Sequence, residues 1–149
     1  MIQGFHHIAI SVADMEKSLS FYRDTLGFEV VMKGGWEQGN EKADQIVGLQ
    51  DTAAKLIMLC KNGFNLELFE YRSPVPEPSD PGRRICDHGF THICLEVSDI
   101  DSEYLRLKEA GMTFHEAPPE AVSGMRAIYG RDPEGNVIEL LEIISSYPS

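Results

Sequence analysis

A chain of 149 residues, 42% hydrophobic and 25% charged, is long enough to bury a core as one domain or as two fused half-domains. Its formal net charge of −11 argues against a nucleic-acid surface, which needs clustered Lys and Arg, but leaves room for an anionic substrate held by a local positive field. No apolar run approaches membrane-spanning length and the N-terminus has no signal-peptide layout. The cysteines, Cys60, Cys86 and Cys94, form an odd set without CxxC spacing. Together these features predict a reducing, cytoplasmic setting without a disulfide framework or a thiolate zinc site.

In chain order, residues 5–12 alternate, with Ile8, Ile10 and Val12 on one face and His7, Ala9 and Ser11 on the other, as a strand requires. Asp14 fits an N-cap. Met15, Leu19, Tyr22 and Leu26 follow at helical spacing, and Gly27 can close that helix. Phe28–Val31 reads as a short strand. Residues 33–52 are glycine-rich and polar, without an assignable element. Leu56–Cys60 and Phe64–Tyr71 read as two strands across an Asn62-Gly63 turn, a strong hairpin signal. Pro74, Pro76, Pro78 and Pro81 then make a stiff connector.

Beyond the connector the plan repeats. Thr91–Val97 is a strand with Ile93, Leu95 and Val97 on one face and His92, Cys94 and Glu96 on the other. Asp99 caps a helix that carries Ile100, Tyr104 and Leu107 and ends at Gly111. Met112–His115 and Met125–Tyr129 are strand candidates. Asp132-Pro133-Glu134-Gly135 fits a type I turn ahead of a last strand, Asn136–Ile143. The expected fold is therefore α+β, with the order βαβββ used twice. The first module spans 1–71, the proline-rich linker 72–88 and the second module 89–149.

The repeat carries chemistry as well as packing. GFHHIAISVAD at 4–14 returns as GFTHICLEVSD at 89–99, and Asn65-Leu66-Glu67-Leu68 is echoed by Val137-Ile138-Glu139-Leu140. Each half thus has one His near its start and one Glu near its end, both on the face opposite the aliphatic stripe. A carboxylate between two leucines in mid-strand is costly to desolvate unless it is paired, protonated or metal-bound. Packing explains repeated glycines, caps and aliphatics, but it does not call for His and Glu. If His7, Glu67, His92 and Glu139 converge, they suit Zn, Mn, Fe, Co or Ni. His6, His88 and His115 have no counterpart in the repeat and read as ordinary surface or core histidines. Cys94 reads as a small core residue.

The stretches HHIAISVADMEKSLSFYRDTLGFEV, NLELFEY, FTHICLEVSDIDSEYLRLKEAG and YGRDPEGNVIELLE resemble the vicinal oxygen chelate superfamily. That superfamily includes glyoxalase I, methylmalonyl-CoA epimerase, extradiol dioxygenases, fosfomycin-resistance enzymes and bleomycin-binding proteins. The resemblance implies paired βαβββ modules forming a cupped mixed sheet around one divalent metal, with His7, Glu67, His92 and Glu139 as ligands. Extradiol dioxygenases leave unused the position that Glu67 fills here. Methylmalonyl-CoA epimerase relatives carry Gln there, whereas glyoxalase I relatives carry Glu.

Four ligands favour polarisation of a carbonyl over oxygen activation. The expected enzyme is then a metal-dependent isomerase, epimerase or lyase that moves a proton alpha to a carbonyl of a small molecule, with Glu67 or Glu139 as base. Two alternatives stand beside it: an Fe(II) extradiol-type dioxygenase and a metal-free antibiotic-binding protein. The expected substrate is a small molecule, anionic or a thioester or thiol adduct. Arg83, Arg84, Arg126 and Arg131 are the candidates to hold its anion. Open strand edges predict a homodimer, with the site inside one chain.

Overall fold

The computed structural model describes residues 1–80 and 82–145. It divides between Pro78 and Ser79 into two compact units. The first contains β1 (Ile8–Ser11), α1 (Met15–Leu19) continuing into a π-helical turn (Ser20–Thr25), β2 (Glu29–Trp36), α2 (Glu41–Val47), β3 (Ala53–Lys61) and β4 (Phe64–Ser73). Its four strands lie in the order β1-β4-β3-β2. β1 and β4 run parallel, and the other pairs are antiparallel.

Local chemistry accounts for these elements. Asp14 starts α1 by accepting a hydrogen bond from the Lys17 amide at 3.0 Å, which satisfies one of the free donors of the first turn. The continuation departs from the simple helix expected from the spacing of Met15, Leu19, Tyr22 and Leu26. The Leu26 amide donates to the Phe21 carbonyl, five residues back, at 2.9 Å. This wider turn rotates the face so that Phe21 and Tyr22, adjacent in sequence, are both 2% exposed. Asn62 and Gly63 both have positive φ, 51° and 80°, as a two-residue turn matched to strand twist demands. Residues 33–52, unassigned from sequence, hold the end of β2 and all of α2, whose Asn40 cap accepts from the Ala43 amide at 3.1 Å.

The second unit contains β5 (Ile93–Glu96), α3 (Ile100–Glu109), β6 (Thr113–Phe114), β7 (Met125–Arg131) and β8 (Val137–Ile143). The strand order is β5-β8-β7-β6, again with a parallel first pair and antiparallel remainder. Asp99 caps α3 through the Ser102 amide at 3.0 Å. In the β7–β8 turn Gly135 donates to the Asp132 carbonyl at 3.0 Å. The buried Asp132 carboxylate accepts from the amides of Glu134 and Asn136 at 2.9 and 2.8 Å. The expected strand Met112–His115 is shorter in the structure, at Thr113–Phe114. Two tandem βαβββ modules with two four-stranded mixed sheets are thus the architecture, with α2 as an addition to the first. No helix among the described residues is long and apolar enough to cross a membrane.

Candidate functional site

Strand alternation fixes which side chains share the face away from the helices. On β4, Leu66 and Leu68 are fully buried, and Glu70 turns the same way to accept from the Met15 amide at 2.8 Å. Glu67, Phe69 and Tyr71 therefore occupy the opposite face. Register places Ala9 of β1 and Met58 of β3 on either side of Glu67. On β8 the corresponding neighbours of Glu139 are Cys94 of β5 and Tyr129 of β7.

Within each unit the repeated His and Glu meet. His7 Nε2 lies 3.2 Å from Glu67 Oε2, and His92 Nε2 lies 3.0 Å from Glu139 Oε2. The other ring nitrogens are engaged too. His92 Nδ1 is 2.8 Å from the Thr91 hydroxyl, and His7 Nδ1 is 2.7 Å from His6 Nδ1. A partner on Nδ1 fixes which nitrogen faces the carboxylate, as ligating histidines commonly require. Thr91 and His6 both immediately precede the repeated His. The expectation of an ordinary surface or core histidine at His6 leaves out this contact with His7.

Imidazole and carboxylate are donor types that a divalent first-row cation accepts. Glu67 is only 8% exposed, and a buried carboxylate is costly unless a cation or donors face it. Donor atoms 3.0–3.2 Å apart are spaced as two ligands of one ion about 2.0–2.2 Å from each. Each unit supplies two such donors. Among the described residues no group of three or more His, Cys, Asp or Glu side chains is arranged so as to hold a metal ion.

The surroundings of the two carboxylates differ. Near Glu139, burial first and then the glutamate's charge push the Cys94 thiol up to about 11. The same two causes raise the Tyr129 phenol, whose ring stands edge-on to His92 with centroids 5.0 Å apart. Near Glu67, burial and then the charge of Glu67 raise Tyr71. Tyr71 stacks on Phe69 at 5.6 Å and 20°, and Trp36 stands edge-on to both. Neither Tyr129 nor this aromatic group was singled out from the sequence. The cross-strand register that brings them to the glutamates depends on the pairing of strands distant in sequence.

The four arginines proposed as anion holders all lie in the second unit, and all have partners there. Arg126 grips Asp101 with two nitrogens at 2.6 and 2.9 Å and donates to the Pro119 carbonyl at 2.9 Å. Arg131 donates to the carbonyls of Gly135 and Arg83 at 2.8 and 2.5 Å. Arg84 pairs with Asp87 at 2.7 Å. Arg83 donates to the His88 carbonyl at 3.1 Å.

Comparison with known proteins agrees with this architecture. An epimerase of 2-epi-5-epi-valiolone from Actinomyces is 28% identical over 96% of this chain and 81% of its own. A glyoxalase family protein from Bacillus cereus superimposes with a TM-score of 0.86 at 20% identity, covering 97% of both chains. The fosfomycin resistance protein FosX from Listeria monocytogenes, solved with Mn(II) and sulfate, superimposes at 0.63 with 20% identity, over 95% of this chain and 93% of its own. Residues 4–140 match the family model of these proteins, and the chain belongs to the glyoxalase/bleomycin resistance protein/dioxygenase superfamily.

Proposed function

We propose that this protein is a divalent-metal-dependent enzyme that moves a proton alpha to a carbonyl of a small molecule. In this reading His7, Glu67, His92 and Glu139 hold one cation together. The observation that carries it is the repeated His–Glu pair, at the same register in two sheets, with donor atoms 3.2 and 3.0 Å apart. An epimerase among the relatives and Mn(II) in FosX support the same class of chemistry.

The cation, when bound, supplies Lewis-acid polarisation of the substrate carbonyl. The chain's own groups do the rest. Thr91 and His6 orient the two imidazoles through Nδ1, so that Nε2 of each faces its glutamate. Glu67 or Glu139 takes the proton at a carboxylate oxygen and returns it. Of the four arginines, Arg83 is the freest to meet a substrate anion, with one side-chain hydrogen bond among those of the described residues. A homodimer that covers the open strand edges belongs to the same proposal.

The test has two parts. Equilibrium binding of Mn(II) or Zn(II) to His7→Ala and to His92→Ala should weaken at least about 100-fold in each. Deuterium should also wash into the alpha position of a 2-oxygenated carbonyl substrate without O₂ consumption. If only one of the two histidines matters, the shared cation is refuted. Stoichiometric O₂ uptake would transfer the assignment to the dioxygenase alternative.

A further inference from the structure

The first unit carries an aromatic group without a counterpart in the second. Trp36 of β2 and Phe69 and Tyr71 of β4 have ring centroids 5.6–6.1 Å apart, and all three side chains are half-buried. Phe69 and Tyr71 lie nearly parallel, while Trp36 is inclined to them at 68° and 81°. Trp36 is pinned by its Nε1, which donates to the fully buried Thr52 hydroxyl at 2.8 Å. Thr52 in turn donates to Asp44 Oδ1 at 2.5 Å. The result is a wall whose rings are held by one another and by a chain of polar contacts.

The second unit builds the same sheet without such a wall. At the places of Phe69 and Tyr71 it has Leu141 and Ile143, by the offset that relates Glu67 to Glu139. Its counterpart of β2 is only two residues long, Thr113–Phe114, and offers no equivalent of Trp36. The second unit thus builds its four-stranded sheet with aliphatic side chains in this row, whereas the first, with a longer edge strand and α2, uses aromatic ones.

The position of the aromatic set supplies a reason for the difference. Phe69 and Tyr71 continue the row that begins at Glu67 on the same face of the same strand, about 7 Å and 13–14 Å further on. A small molecule with oxygens at the His7–Glu67 pair would lay whatever follows its alpha carbon against these rings. We propose that the Trp36–Phe69–Tyr71 wall binds the planar, unsaturated part of the substrate, so that the preferred substrate class is an aryl-bearing 2-oxygenated acid or ketone rather than a short aliphatic one. Offset and edge-on ring contacts reward such a group and give nothing to a methyl. The placement of the oxygen end rests on the metal-dependent function proposed above, whereas the wall can be tested without it.

Trp36 is the only tryptophan in the chain, so its fluorescence reports the wall directly. Purified protein is titrated with 3-phenyllactate and with lactate, with and without Mn(II), while metal binding is measured separately by calorimetry. The expected result is a saturable change in Trp36 emission with 3-phenyllactate and an affinity at least about 10-fold above that for lactate. Replacing the two rings by their second-unit counterparts, Phe69→Leu with Tyr71→Ile, should erase the preference and leave metal affinity unaltered. Phe69→Leu alone serves if the double variant does not fold, and it should reduce the preference. Equal affinity for the two acids, or a preference that survives loss of the rings, overturns the proposal. Absence of metal binding in the calorimeter, with the aryl preference intact in metal-free protein, would refute the catalytic reading and leave the wall standing.

Discussion

The two units put the same pair of groups at the equivalent place in two separate sheets, yet surround them differently. In the first, Glu67 lies between Ala9 and Met58, and Phe69 and Tyr71, in ring contact with Trp36, continue its row. In the second, Glu139 lies between Cys94 and Tyr129, and aliphatic residues continue the row. What the units share is an Asp cap, a buried aliphatic residue before and after the strand glutamate (Leu66 and Leu68, Ile138 and Leu140), a His and a Glu. On the function proposed above, what they do not share serves a substrate, which is unsymmetrical, and the comparison then separates scaffold from specificity.

The scaffold half of that comparison predicts the largest effect. Leu68 and Leu140 occupy equivalent positions, and each is 0% exposed. Leu68→Ala and Leu140→Ala should each cost about 2–5 kcal/mol, from lost burial and the cavity left behind. Denaturant unfolding would measure both. Similar losses are expected from two equivalent cores. A loss below about 1 kcal/mol at either site would show that the two sheets are not supported in the same way.

How far this was legible in the sequence follows the same division. Caps, glycines and period-two stripes are local signals, so β1, β4, β5, β8 and the capped starts of α1 and α3 are readable from them. The His and Glu stood out because they recurred where packing had no use for them. Residues 33–52 were opaque because Gly34 and Gly35 resemble a loop. In the structure Gly35 sits in β2 at φ +150°, and a Cβ there would come within 2.5 Å of the Ala54 carbonyl oxygen. Glycine is required by close approach of strands, a property of pairing rather than of local sequence. Tyr129 was missed for a related reason: its meeting with Glu139 is set by the β7–β8 register.

A smaller effect tests the unsymmetrical half. Tyr129 lies against both members of its unit's His–Glu pair, edge-on to the His92 ring and with its phenol beside Glu139. Met58, at the equivalent register beside Glu67, has no hydroxyl to offer. Tyr129→Phe keeps the ring and removes the hydroxyl, and should weaken metal binding about 10-fold, as loss of a group that orients a ligand typically does. Met58→Leu should leave metal affinity within about twofold, since it nearly conserves volume. Competition against a chelator would read both. Equal effects from the two variants would remove the distinction between a supported and an unsupported carboxylate.

The smallest effect concerns acid. Each unit has an aspartate outside its core held below the usual carboxylate range, for different reasons. Asp44 is lowered first by the Thr52 hydroxyl and then by the Thr52 amide, with a further hydrogen bond from the Asp51 amide at 2.8 Å. Asp101 is lowered first by its hydrogen bonds with Arg126 and then by that guanidinium's charge. A depressed carboxyl contributes stability that is present above its unfolded value, here 3.8, and is lost as pH falls through the folded value. Both units should therefore lose stability on acidification below about pH 4. Asn substitution should flatten that limb of a stability–pH profile, but unequally. Asp44→Asn leaves one acceptor oxygen for three donors across the α2–β3 connection. Asp101→Asn leaves Arg126 with the Glu142 carboxylate at 3.8 Å and the Pro119 carbonyl at 2.9 Å, and exposed ion pairs are worth little in water. The larger flattening is expected from Asp44→Asn. The reverse order would mean that the Arg126 cluster, rather than the loop that the first unit adds, sets the acid limit of the chain.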